Sequence, residues 1–295
     1  MILFILNKLK DFNYKYLVDH YPRVIIDKIW KRKYGYIIDW NHPRDLNEKI
    51  EWLICYGDTS GWPDLADKYK VRDYVWQKGF GEMLTRLYGI WNDAGAIDFN
   101  ALPDRFVLKC NHDCGTSRII DKTRPFDRED IVRHFNDCLK TKYGYNYCEP
   151  HYNKIKPLLF AEEYLPPDIS LSSSQIDYKV WCFEGKATII LVCHSREQDS
   201  LLIDVYDLDW NAHPEYCVFS SKYKDGQGVI PRPVHLEEMV RTAEVLSTGL
   251  HEARIDFYSV KGRLYFGEIT LTSASGRMTY FTKEFLVEIG NRIQL

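Results

Sequence analysis

The chain has 295 residues, enough for one large domain or two to three subdomains around a substantial core. Its 39 Lys and Arg against 42 Asp and Glu give a net charge of -3. That balance leaves no basic footprint and excludes nucleic acid as the expected main partner.

Met1 to Leu6 is apolar for only six residues before Asn7-Lys8 and lacks a small-residue cleavage site. It is read as neither signal peptide nor spanning helix, which points to the cytoplasm. Leu3, Leu6 and Leu9 with Lys8, Lys10 and Lys15 suit a basic helix at the inner face of a membrane or, as the preferred reading, a helix packed on the core. Residues 1–95 read mainly as helices. Asn41 to Asn47 is a turn running into the helix Glu48 to Leu53, with Asp45 or Asn47 as its cap. Leu65 to Val75 is the next helix, and its charged Asp67, Lys68, Arg72 and Asp73 are expected to face solvent. Leu84 to Trp91 resembles a strand.

From about residue 100 strands alternate with helices. Phe106 to Cys110 is a strand with Lys109 near its end, and Arg118 to Lys122 is a second strand. Between them lies Asn111-His-Asp-Cys-Gly-Thr-Ser117, a polar loop around one glycine. Strand, polar loop, strand suits a flap over a phosphate and equally a surface hairpin. Cys110, His112 and Cys114 form one short cluster with no second ligand pair at zinc-like spacing, so a loop role is expected. The eight cysteines include no CxxC pair and suit a reduced, cytosolic chain.

Phe126 to Lys142 reads as a helix capped by Asp127, with Ile131, Phe135 and Leu139 at four-residue spacing. Pro157 to Leu165 is a buried strand leading into Pro166-Pro167, which suits a hinge. Glu162 and Glu163 either touch a ribose or face solvent. Ile176 to Phe183 and Lys186 to Val192 form a hairpin about Glu184-Gly185. Residues 200 to 233 read as loop-rich, Leu236 to Leu250 as a helix, and Phe281 to Ile293 as a closing helix.

The C-terminal stretch Arg254 to Thr270 is a hairpin about Lys261-Gly262. A three-residue loop sets Asp256 opposite Glu268 and Arg254 opposite Thr270. Two carboxylates facing each other call for a cation between them, and a hard divalent ion fits oxygen ligands. Asp256, Glu268 and Thr270 are thus the expected magnesium ligands. A two-residue loop would shift the register by one and separate the pair.

Phe106-Val-Leu-Lys109-Cys-Asn-His112, the loop at Gly115, Ile120-Asp-Lys122, Glu162-Glu-Tyr-Leu165, Asp177-Tyr-Lys179 and Arg254-Ile-Asp256…Gly267-Glu268-Ile-Thr270 fall in the order of an ATP-grasp enzyme. Asn47-Glu-Lys-Ile-Glu-Trp52 and Asp67-Lys-Tyr-Lys-Val-Arg72 resemble the TupA-like, teichuronopeptide-biosynthesis branch, and the resemblance spans about residues 30 to 276. It implies an α+β ATP-grasp fold in which two α+β subdomains clasp ATP, with a helical N-terminal region (1–95), a lid subdomain carrying the flap (96–167) and a C-terminal subdomain with the metal site (168–295).

Residue by residue, the resemblance implies that Lys109 and Lys179 touch the phosphates and that His112, Gly115, Thr116 and Ser117 close over them. Lys122 and Asp177 join the nucleotide site, and Glu162, Glu163, Tyr164 and Leu165 hold adenine and ribose. Asp256 and Glu268 bind magnesium, Arg254 steadies the transferred phosphoryl group, and Ser273, Ser275, Gly276 and Arg277 meet the substrate. Two departures stand out: Thr270 replaces the usual asparagine ligand, and the flap has a single glycine. The implied activity is an ATP- and Mg2+-dependent carboxylate–amine ligase working through an acyl phosphate. Its implied partners are ATP, a carboxylate-bearing sugar or glycopeptide such as a uronic acid or glutamyl chain of a surface polymer, and an amine, with the oligomeric state open. A kinase of a sugar-like acceptor, a binding module without turnover and a two-carboxylate glycosidase are the competing readings.

Overall fold

Capping side chains and apolar spacing set the first third of the chain. The computed structural model describes residues 2–295, with side chains from Lys10 onward; the amphipathic face expected for Leu3, Leu6, Lys8 and Leu9 lies outside the described residues. Helix α1 (Ile2–His20) leads into α2 (Pro22–Tyr34), which starts on proline and ends at Gly35 in the left-handed conformation. Helix α3 (Leu46–Tyr56) is capped by Asp45, whose carboxylate accepts from the Glu48 N–H at 2.9 Å.

The single helix expected over 65–75 is two short ones, α4 (Trp62–Ala66) and α5 (Val71–Gln77). The break has a local cause: Asp67 Oδ1 accepts from the Tyr69 and Lys70 N–H groups at 2.9 and 3.0 Å, replacing helical bonds with a turn.

Strands β1 (Leu87–Trp91), β2 (Arg105–Cys110) and β3 (Arg118–Asp121) follow, then α6 (Arg128–Lys140), α7 (Gly144–Tyr147), α8 (Pro150–Asn153) and β4 (Leu159–Glu163). They form an antiparallel sheet in the order β1-β4-β2-β3. Asp127 caps α6 as expected. Ile131 and Phe135 of that helix pack with Phe106, Leu108 and Leu159 into a core of their own. The sheet takes β1 from upstream of residue 95, so that boundary falls inside one sheet.

Strands β5 (Asp177–Phe183), β6 (Lys186–His194), β7 (Leu201–Tyr206) and β8 (Tyr223–Asp225), helix α9 (Leu236–Leu246), strands β9 (Glu252–Val260) and β10 (Arg263–Thr270) and helix α10 (Lys283–Gly290) complete the chain. The second sheet runs β10-β9-β5-β6-β7-β8, with β8 parallel to β7. Strand β7 corrects the loop-rich reading of 200–233. Its central Asp204 interrupts the apolar run, yet it is buried and paired, 3.1 Å from His194 Nε2 and accepting from the Gly228 N–H at 2.8 Å.

The second core is continuous with the N-terminal helices: Ile26, Trp30, Leu46 and Ile50 join Val180, Trp181, Ile255 and Phe257 in one cluster. The helical region is therefore packed onto the six-stranded sheet, and the four-stranded sheet stands opposite across a cleft. Among the described residues, no helix is long and apolar enough to cross a membrane.

Candidate active site

The β9–β10 hairpin turns on two residues, Lys261 and Gly262, both with positive φ (51° and 74°), the backbone of a type I′ turn. Val260 consequently pairs with Arg263, and the ladder runs one residue out of step as far as Phe257 and Phe266. A bulge at Gly267 then absorbs one residue, so Asp256 pairs with Glu268 and Arg254 with Thr270. The expected facing pair is present, reached through a shorter turn plus a bulge. Glycine suits the bulge because a Cβ there would meet the Asp256 carbonyl oxygen at 3.0 Å and the Tyr258 ring at 3.2 Å.

Strand alternation gathers the polar side chains on one face. Lys179 of β5 pairs with Asp256, and Trp181 with Arg254. The Lys179 ammonium donates to Asp256 Oδ2 at 2.5 Å, and Arg254 donates to Oδ1 and Oδ2 at 2.7 and 2.9 Å. Glu268 is less committed: its Oε1 lies 3.4 Å from both Arg254 and the Thr270 hydroxyl, and its Oε2 lies 3.6 Å from Lys68. Burial alone would raise the Glu268 carboxyl, but Lys68, Arg254, Lys179 and Lys109 outweigh it and hold it down at about 2. It is thus a carboxylate at any ordinary pH.

Glu268 lines the recess, and Asp256 faces it with its oxygens engaged by Lys179 and Arg254; such a pair fits magnesium, which takes one or two protein carboxylates and completes its shell with phosphate and water. The donor set agrees with that pattern. Among the described residues, no three His, Cys, Asp or Glu side chains converge as a closed metal cage.

The opposite wall comes from the four-stranded sheet and the helical region. Lys109 on β2 donates to Glu162 Oε1 on β4 at 2.5 Å. Glu162 Oε2 accepts from the Thr85 hydroxyl at 2.7 Å, with Arg72 3.8 Å away. Burial would raise the Glu162 carboxyl, yet Lys109 and its hydrogen bonds lower it. Lys68 donates to the Asp113 carbonyl at 2.5 Å, and burial is outweighed by Glu268, Cys114 and Asp113, so its pKa rises. Lys68, Arg72, Lys109, Glu162, Tyr258, Gly267 and Glu268 line one continuous polar recess. It opens into a cleft of about 380 Å³ walled by Val107, Ile119, Tyr164, Leu165, Tyr258 and Phe266, with Ser117, Glu163 and Asp177 at its edge.

The expected residues divide accordingly. Lys109, Ser117, Glu162, Glu163, Tyr164, Leu165, Asp177, Lys179, Arg254, Asp256, Glu268 and Thr270 meet at or beside the cleft. Gly115 (φ 81°) and Thr116 belong to the loop, where the Thr116 hydroxyl donates to the Asp113 carboxylate at 2.7 Å.

Other placements correct the reading. His112 is buried beneath the loop, its Nε2 3.0 Å from the Thr141 carbonyl oxygen, so it anchors the loop instead of facing a phosphate. Lys122 lies at the far end of β3, its ammonium spent on the Phe99 and Leu102 carbonyls at 3.0 and 2.5 Å. Ser275 donates to buried Glu149 at 3.0 Å, Gly276 packs against α3, and Arg277 donates to Glu51 and the Tyr147 carbonyl at 2.7 Å each. Gly276 and Arg277 join the sheet to the helical region and Ser275 joins it to the α7–α8 segment, so none of the three is free for substrate. Ser273, 3.5 Å from Arg254, remains beside the site.

Residues expected in solvent prove central. Asp67 is 3% exposed and accepts from Asn111 Nδ2 at 2.8 Å, and Lys68 and Arg72 point inward to the carboxylates. Tyr258, two residues after Asp256, shares its face and was legible from alternation alone. Thr85, which donates to Glu162, and Arg196, which lines the cleft and donates to Asp177 at 3.1 Å, carried no signal in the sequence.

The profile of the family described as TupA-like ATPgrasp matches residues 48–294. No curated protein matches the chain. Similar solved structures include the D-alanine–D-alanine ligase from Bacillus anthracis complexed with ATP, at 15% identity over 70% of this chain and 55% of that one, TM-score 0.41. The ATP-grasp ligase PsnB complexed with minimal precursor is 12% identical over 83% of this chain and 64% of that one, TM-score 0.42. The chain thus covers less than two thirds of the length of either. With the family profile spanning most of the sequence, the chain belongs to the TupA-like ATP-grasp family and has the α+β fold of that superfamily.

Proposed function

We propose that the protein is an ATP- and magnesium-dependent ligase that joins a carboxylate to an amine through an acyl phosphate. The observation that carries this reading is the facing pair Asp256 and Glu268 set among Lys68, Arg72, Lys109, Lys179 and Arg254 in a cleft between two sheets. Binding alone needs no such pair, whereas phosphoryl transfer does. Magnesium bound there supplies Lewis-acid neutralisation of phosphate oxygens.

A carboxylate does not react with an amine at neutral pH, because oxide would have to leave. In the proposed sequence a substrate carboxylate oxygen bonds to the γ-phosphorus as the bond to ADP breaks. The amine nitrogen then bonds to the acyl carbon, phosphate leaves with the electron pair, and the nitrogen sheds a proton. Lys109 and Arg72 hold phosphate oxygens, and Arg254 neutralises charge on the moving phosphoryl group. Tyr164, Leu165, Val107, Ile119 and Phe266 wall the apolar pocket for adenine, with Glu163 and Asp177 at the ribose edge. The loop 111–117 shields the acyl phosphate from water. The substrates of the proposed reaction are uronic or glutamyl carboxylates on surface-polymer precursors, and the site of action is the cytoplasm.

Incubation with ATP, magnesium, a panel of uronic and glutamyl carboxylates, and amines tests it. ADP and phosphate should form only with the right carboxylate, and an amide only when amine is added. ADP with a stable phosphorylated acceptor overturns the ligase in favour of a kinase, and absence of nucleotide binding overturns the whole reading.

A further inference from the structure

Helices α2 and α3 and the segment 38–43 between them enclose an open cavity of about 780 Å³ that shares no residue with the cleft between the sheets. Three aromatic side chains line it, Trp40, Trp52 and Tyr56. The Tyr56 ring lies 5.7 Å from that of Trp40 and 5.4 Å from that of Trp52, inclined at 72° and 46°. The polar ends of both indoles are spent inward, Trp40 Nε1 on the Asp27 carboxylate at 2.9 Å and Trp52 Nε1 on the Trp40 carbonyl at 3.1 Å. Each indole is thereby fixed in orientation, and what it has left to offer the cavity is carbon. Tyr56 is 45% exposed, with its hydroxyl pinned by Arg23 Nη1 at 2.7 Å.

The rim is polar and mixed in kind. The exposed Asp39 carboxylate accepts from the Asn41 N–H at 3.1 Å and lies 3.3 Å from His42 Nδ1, which leaves lone pairs free. The Asn41 carboxamide has no hydrogen-bond partner among the described residues. Among the described residues that line the cavity, Arg23 is the one cation, and its charge is shared with Asp27 at 3.6 Å.

This lining discriminates between ligand classes. A phosphate or carboxylate would meet Asp39 and find no uncommitted cation. A wholly apolar ligand would cover Asp39, Asn41 and Arg23 without bonding them, at a desolvation cost. A pyranose satisfies both parts. Its C–H face is slightly positive and suits the electron-rich ring faces, while hydroxyls at its edge donate to Asp39 and trade bonds with Asn41 and Arg23.

We propose that this cavity is a saccharide-binding site, separate from the ligase cleft, that takes a neutral pyranose unit stacked on Tyr56 and Trp52 with its hydroxyls on Asp39 and Asn41. For a carboxylate carried on a saccharide chain, a second hold on the same chain raises its effective concentration at the cleft. That use rests on the reaction proposed above; the binding itself does not.

The test is fluorine NMR on the full chain labelled with fluorotryptophan. The neutral probes are the methyl glycosides of glucose, galactose and N-acetylglucosamine, with cellotriose and chitotriose; trigalacturonate is the anionic probe. Trp76, exposed and outside the cavity, is the control for unspecific stacking. At least one neutral probe should shift the Trp52 resonance saturably and leave Trp76 unmoved. Tyr56→Ala should weaken that binding about tenfold, the scale of losing a stacked ring, and Tyr56→Phe should keep it within about threefold. Asp39→Asn should weaken it about fivefold and, being a change at an exposed side chain, serves if Tyr56→Ala does not fold. Nucleotide binding should be unchanged in all three. No response of Trp40 or Trp52 to any neutral probe overturns the proposal, as does wild-type affinity in both Tyr56→Ala and Asp39→Asn. Trigalacturonate binding that exceeds the neutral probes and tightens in Asp39→Asn overturns the assignment to a neutral sugar. Saccharide binding in a protein that binds no nucleotide overturns the ligase reading alone.

Discussion

Asp256 faces Glu268 because a turn one residue short is matched by a bulge one residue long, at Gly267. The two irregularities cancel, and the carboxylates end on one face of the sheet. A side chain at 267 would press on the Asp256 carbonyl and the Tyr258 ring, so the bulge cannot relax without moving the pair. Gly267→Ala should leave the protein folded and reduce carboxylate-dependent phosphate release at least about tenfold, since misplacing catalytic groups by an ångström costs that much or more. A titration of magnesium should show weaker half-saturation in the variant. Wild-type magnesium dependence would separate the bulge from the metal site.

Glu268→Ala goes further. It removes the carboxylate that is less committed to Arg254 and Lys179, and it leaves Lys68 and Arg254 facing each other across the gap. Phosphate release should drop by about a hundredfold to a thousandfold, the scale of losing one electrostatic group at a reacting phosphoryl. Nucleotide alone should still bind. Calorimetry with and without magnesium would check this: the variant should lose the magnesium-dependent part of the affinity.

Arg277 makes the opposite prediction. Its guanidinium donates to Glu51 and to the Tyr147 carbonyl, and Glu51 is fully buried against Trp30. Arg277→Ala should destabilise by about 1–3 kcal/mol, because it leaves the Glu51 carboxyl, lifted to about 8 by burial, without its donor. Nucleotide affinity of the folded fraction should stay within about twofold, as expected for a residue remote from the ligand. Denaturant midpoints and binding measured side by side check this, and lost substrate affinity without lost stability would return Arg277 to the substrate site.

Legibility followed distance along the chain. Whereas the placing of Lys179 and Lys109 followed from the family resemblance, the facing of Asp256 and Glu268 rests on strand alternation and turn residues, which are local and visible in sequence. Even there two compensating one-residue shifts were hidden. Lys68 and Arg72 were not legible, because charged residues in a stretch that reads as a surface helix face water by default, and only contact with β10 and β4 turns them inward. Ser275 and Arg277 failed for the same reason in reverse: polar residues just past a metal strand suggest substrate, but α3 and Glu149 claim them. His112 and Lys122 are polar groups whose partners are backbone carbonyls 29 and 20 or 23 residues away, which no motif records.

Glu149 gives the pH prediction. Its carboxyl is buried, bonded by the Thr272 and Ser275 hydroxyls at 2.5 and 3.0 Å, and burial, against those bonds, lifts it to about 7. In the unfolded chain a glutamate titrates near about 4.3. Between those values the folded state holds a proton that the unfolded state has lost, so stability falls as pH rises. This contribution is fully present below about 4.3 and is lost as pH rises through the folded value. Glutamine keeps the shape and the hydroxyl bonds but cannot ionise. Glu149→Gln should therefore be more stable than wild type at pH 8, close to it at pH 5, and flatter in between. Denaturant midpoints at pH 5, 6, 7 and 8 for both proteins give the comparison. Glu252, lifted to about 8 by burial, tilts both profiles alike and drops out of the difference; Glu51, lifted to about 8 by burial and partly by the Glu149 charge, loses that contribution in the variant and flattens its profile further. Equal slopes would mean that Glu149 is ionised in the folded protein. A flatter slope with unchanged phosphate release at pH 7 would assign Glu149 to holding the turn 272–276, whose Ser273 neighbours Arg254, against the α7–α8 segment.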